Sequence, residues 1–142
     1  MKIKIILTIM CLISVVVYTS TFYAQGSSKT IKLANGDMVW NLYGEWNVLI
    51  EPYGEWIGES YEQILTITQD GGSFMAVRMK DDISGNKKGS LAMQGELDKN
   101  GIKKLTLYTV VGDLEVKGTI SEDGNKMIID ADNRVKLTVT RK

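Results

Sequence analysis

From Gly44 to Arg141, apolar and polar residues alternate in short segments, and nearly every segment ends at residues suited to a tight turn. A strand points successive side chains to opposite faces, so this period of two describes strands with one dry and one wet face. The turn signals are Asp70-Gly71-Gly72, Asn100-Gly101, Val111-Gly112-Asp113, Asp123-Gly124-Asn125 and Asp132-Asn133, with Ser84-Gly85-Asn86 in a longer polar loop. Glycine, asparagine and aspartate reach positive φ at low cost, as hairpin turns require. Strands are therefore expected near 45–51, 61–69, 73–80, 89–98, 102–111, 113–121, 126–131 and 134–141. No segment between them has the length and period of a helix. The pattern predicts an all-β fold, an eight-stranded antiparallel up-and-down barrel, with a two-sheet β-sandwich as the alternative. Closure favours the barrel because it removes the exposed edges of an open sheet.

The alternation also assigns faces. Leu65, Ile67, Met75, Val77, Met79, Leu91, Met93 and Leu97 are expected to point inward. So are Leu105, Leu107, Leu114, Val116, Ile120, Met127, Ile129, Val135, Leu137 and Val139. Arg78, Lys80, Gln94, Glu96, Lys104, Glu115 and Lys136 fall on the outer parity, as do Tyr108 and Asp130. Before the barrel, Ile31-Lys32-Leu33 and Met38-Val39-Trp40 flank Asn35-Gly36, which reads as an extra hairpin or an extended lead-in capping one barrel end.

The first two dozen residues are of another kind. Lys2 and Lys4 precede an uncharged apolar run, Ile5 to Tyr18, and small and polar residues follow up to Ala24. This is the order of a secretory signal peptide, and the run is shorter than the roughly 20 residues a membrane span needs. The expected organisation is a signal peptide over 1–24, a lead-in over 25–43 and a barrel domain over 44–142, exported to the periplasm or extracellular space. An uncleaved signal anchor is the alternative. Cys11, the single cysteine, lies inside the leader after Met10, and a lipoprotein signal wants a small residue there. The mature chain would carry no thiol, no disulfide and a net charge of −2. That balance, without a basic cluster, argues against nucleic acid as a partner, and after cleavage no membrane insertion is expected.

Composition removes most chemistry. The chain has no histidine, so the commonest general base, metal ligand and nucleophile partner are missing. Asp81-Asp82 and Asp130-Ala131-Asp132 lack the spacing of an EF-hand loop. Glu45, Glu51, Glu55, Glu59 and Glu62 gather around the first strand and read as charges at a barrel mouth. No catalytic residue, metal site or cofactor is assigned. The informative cluster is aromatic: Tyr43-Gly44-Glu45-Trp46 recurs as Tyr53-Gly54-Glu55-Trp56, with Trp40 before and Tyr61 after. Such rings either plug a barrel end or pave a binding site. Trp46 reads as buried, and Trp56, in a glycine-flanked loop, as exposed. Inward methionines fill gaps or line adaptable apolar pockets. The candidate ligand-binding residues are accordingly Trp56, Tyr53, Tyr61, Met75, Met79, Met93 and Met127, for a small, mostly apolar ligand. The competing reading is an envelope or extracellular protein-interaction module with a packed interior.

Gly44-Glu45-Trp46 opens the first strand as the Gly-x-Trp motif of lipocalins does, and Arg141 ends the last strand. On these residues, the strand count and the meander order, residues 44–142 resemble a compact bacterial lipocalin-like (calycin) barrel. The resemblance implies that Trp46 closes one barrel end and Arg141 packs across it with cation–π character. It also implies carriage or sequestration of small apolar molecules. The chain departs from the pattern in having no C-terminal helix segment, no disulfide cysteines and no helical lid between the first two strands.

Overall fold

A computed structural model describes residues 28–142, so the expected signal peptide over 1–24 lies outside the described residues. Eleven strands are present among the described residues: β1 (Thr30–Lys32), β2 (Met38–Trp40), β3 (Gly44–Pro52), β4 (Tyr61–Asp70), β5 (Ser73–Arg78), β6 (Leu91–Asp98), β7 (Gly101–Thr109), β8 (Gly112–Glu115), β9 (Lys117–Ile120), β10 (Lys126–Asp130) and β11 (Val135–Arg141). Strands β3 to β11 form one antiparallel sheet in the order β8-β7-β6-β5-β4-β3-β11-β10-β9. The first long strand pairs with the last, Trp46 opposite Arg141, and the sheet curls into a nearly closed up-and-down barrel. A sandwich would need two sheets here.

The two sheet ends, β8 and β9, are halves of the single strand expected at 113–121, broken at Val116. The Val116 N–H still donates to the Leu105 carbonyl (3.0 Å). The first half pairs with β7 and the second with β10, so one bent segment joins both flanks of the ring. Gly118 allows the bend to sit close, because a Cβ there would lie 2.9 Å from Ile102 Cδ1 and 3.2 Å from Leu105 Cδ2. Counting the halves as one, the barrel has the eight strands that the turn signals predict.

Facing follows the alternation on most strands. Leu65 and Ile67 of β4, Met93 and Leu97 of β6, Leu105 and Leu107 of β7, Met127 and Ile129 of β10, and Val135, Leu137 and Val139 of β11 are all buried. Strand β5 reverses the expectation. Phe74, Ala76 and Arg78 face the interior, whereas Met75 is 46% exposed and Met79 is also exposed. The reason is register. The Gly71-Gly72 turn pairs Asp70 with Ser73, which sets Ile67 opposite Ala76 and Leu65 opposite Arg78. Directly opposed residues share a face. The Phe74 ring then lies over Gly95 of β6, where a Cβ would stand 2.6 Å from Cζ.

The lead-in is a hairpin, β1 against β2, turning at Asn35-Gly36. It packs on the barrel end marked by Gly71, Gly124 and Trp46. Leu33 lies beside Gly71, and the Trp40 ring covers Gly124. The Gln69 side chain ties it down, accepting from the Leu42 N–H and donating to the Trp40 and Gly71 carbonyls.

Candidate functional site

The two barrel ends are built differently. At the end covered by the lead-in, Trp46 is fully buried and its indole N–H donates to the Leu42 carbonyl (2.8 Å). The Arg141 guanidinium lies 4.3 Å from the centre of the Trp46 ring. Its nitrogens donate to the carbonyls of Tyr43 (3.0 Å) and Asn41 (2.6 Å). The cation thus stacks on the indole face and satisfies the backbone just before β3. Leu42, Ile67, Leu105, Met127, Ile129 and Val139 fill this half with side chains.

The opposite half is hollow. A cavity of about 450 Å³ opens between the β3–β4, β5–β6 and β7–β8 connections. Val48, Leu65, Ala92, Met93, Leu107 and Leu137 line its depth, with Ile50, Pro52, Trp56, Tyr61 and Val135 nearer the mouth. Around that mouth four aliphatic side chains stand in water: Ile57 (97% exposed), Ile83, Val110 and Val111.

One wall is polar. Arg78 is 8% exposed and lines the cavity. Its Nη1 donates to Ser90 Oγ (3.1 Å) and the Leu91 carbonyl (2.5 Å), and its Nη2 to the Tyr108 carbonyl (2.5 Å). Its Nε lies 3.9 Å from the carboxylate of Asp82, whose side chain is 1% exposed. The loop after β5 wraps that carboxylate. Asp82 Oδ1 accepts from the Ser84 hydroxyl and N–H and the Asn86 N–H, and Asn86 Nδ2 reaches Oδ2 at 3.0 Å. Burial alone raises an aspartate pKa, but here the hydrogen bonds from Ser84 and Asn86 prevail and hold Asp82 below its ordinary value. Burial lowers Arg78 from its ordinary value, which still leaves the guanidinium charged. Gln63, also on the wall, donates to the Lys80 carbonyl and accepts from the Ile64 N–H. Burial raises the Tyr61 pKa, so its hydroxyl, 3.1 Å from Ser84 Oγ, stays protonated.

Of the seven candidate ligand residues, Trp56, Tyr61 and Met93 come together on the cavity. The other four stand apart from it. Met127 is packed in the filled half. Met75 and Met79 are on the outer face for the register reason given above. The Tyr53 hydroxyl donates to the Asp130 carboxylate and accepts from the Asn133 N–H, so this ring pins the β3–β4 loop to the β10–β11 turn. Tyr108 sends its hydroxyl outward to Gln94 and only its carbonyl inward. Sequence reasoning missed Arg78, Asp82 and the loop that holds them. Two signals could have found them: the two-residue turn that fixes β5's register, and Gly95 in mid-strand, which marks a large ring close by.

Among the described residues, no three or more His, Cys, Asp or Glu side chains are grouped to hold a metal ion. The chain matches no protein-family model, no curated protein and no solved structure at a significant level.

Proposed function

We propose that the protein is an exported, non-catalytic, lipocalin-like barrel that binds one small, mostly apolar molecule in its open half. The observation that carries this reading is the cavity of about 450 Å³, lined chiefly by apolar side chains and opening between the β3–β4, β5–β6 and β7–β8 connections. Ligand sites are typically concave, about 300–1,000 Å³, and mostly apolar with few polar groups. A binding role also suits the polar wall. Asp82 is locked by hydrogen bonds and paired with Arg78, which leaves it poorly placed to move protons. Native mass spectrometry of the mature protein from its own host is the direct test. A stoichiometric bound mass of an apolar compound is expected. Protein that carries no such mass and binds no apolar fluorophore overturns the reading.

A second reading, an interaction module, draws on the exposed Ile57, Ile83, Val110 and Val111. Replacing Ile57 and Ile83 by serine separates the two. A carrier keeps its bound mass; an interaction module loses a cross-linked partner.

A further inference from the structure

From the charge pair on the cavity wall we infer that the occupant is electrically neutral: an apolar molecule bearing a hydrogen-bond acceptor such as a carbonyl, ether or hydroxyl. The inference rests on the binding reading above and specifies its ligand class. A lone arginine inside an apolar cavity would call for an anion. Arg78 is not alone, because Asp82 balances its charge at 3.9 Å. Most of its donors are also spent. A guanidinium has five N–H groups. Both on Nη1 have acceptors, Nη2 has one, and Nε faces Asp82. The second Nη2 hydrogen is left over, and the Nε hydrogen, 3.9 Å from Asp82, is ion-paired and not hydrogen-bonded. Two donors beside a carboxylate suit a neutral acceptor and are too few to solvate an anion.

An anion entering the cavity would exchange water for at most two hydrogen bonds and meet a wall of no net charge, with the exposed Glu59 at the mouth. Stripping a charged group of water without full compensation is costly. A cation fares no better. The Asp82 carboxylate is enclosed by Ser84 and Asn86, so an ammonium could reach it only by undoing the loop. The Tyr61 hydroxyl, at the same wall, donates its proton to Ser84 Oγ, whose own proton goes to Asp82, and so offers a lone pair to a ligand hydroxyl.

Two fluorophores with one skeleton test this: neutral N-phenyl-1-naphthylamine and its sulfonated counterpart 1-anilinonaphthalene-8-sulfonate. The mature wild-type protein should bind the neutral probe at least about tenfold more tightly. Equal or tighter binding of the sulfonate overturns the inference and leaves the binding reading intact. Failure of both probes in protein that also carries no bound mass overturns the two together, and a bound mass that proves to be an ionised compound overturns the inference alone. Asp82→Asn leaves Arg78 unbalanced and should raise sulfonate affinity about tenfold while the neutral probe changes little. Arg78→Met added to Asp82→Asn should restore the wild-type preference. Unchanged selectivity in a folded Asp82→Asn protein counts against the inference. If that variant does not fold, the wild-type comparison decides alone.

Discussion

Each end of the barrel holds a half-buried or buried arginine, and the two are used in opposite ways. Arg141 lies flat on Trp46 and fastens the backbone of residues 41–43, and behind it the interior is solid. Arg78 fastens strand-end carbonyls too, but its counter-ion comes from a loop and its flank faces empty space. The filled end carries a cleft of about 160 Å³, lined mainly by polar residues including Asn41 and Asp123. The difference shows how one fold divides labour. Packing density is concentrated where the lead-in covers the barrel, and that end can stabilise an interior left unfilled at the other.

That division can be broken most sharply at Trp46. Trp46→Ala should cost about 3–5 kcal/mol in denaturant unfolding, since it empties the best-packed region. A loss under about 1 kcal/mol would mean that the filled end does not carry the barrel's stability. Arg141→Ala removes the stacked cation and two carbonyl contacts and should cost about 1–2 kcal/mol, with apolar-probe affinity unchanged. A fall in affinity would show that the two ends are coupled. The smallest effect concerns acid. Asp82 is held below its unfolded value, so its stabilising contribution is complete above about pH 4 and fades as pH falls through its folded value. Asp123, at the filled end, is also lowered, first through its hydrogen bond from Ser121, but is exposed. Asp82→Asn should therefore flatten the acid limb of a stability–pH profile more than Asp123→Asn. The reverse order would locate the acid-sensitive element at the wrong end.

The sequence made the strand count readable because each connection carries its own turn chemistry, from Gly71-Gly72 to Asp123-Gly124. The Trp46–Arg141 pair was legible for another reason, a short motif at one strand's start and a cation at another's end. Strand β5 was not. Both of its faces read as apolar, Phe74 and Ala76 against Met75 and Val77, so hydrophobicity alone could not choose between them. A charged Arg78 then tips the reading outward, since its burial depends on acceptors from Ser90, Leu91, Tyr108 and Asp82. Those residues are distributed over separate segments, and only the assembled barrel brings them around one guanidinium. The cavity was out of reach for the same reason: alternation names the inward side chains but not whether they meet.

The pairing of β3 with β11 has a consequence in time. Arg141 satisfies carbonyls 98 and 100 residues earlier in the chain, so the ring cannot shut until nearly the whole barrel sequence is available. Topologies dominated by such distant pairings fold slowly, because the loop-closure entropy is spent before the contacts form. Until β11 arrives, β3 presents an unpaired edge with Trp46 beside it. A chain stopped before Val135 would keep that edge open, and self-association through it is the expected hazard.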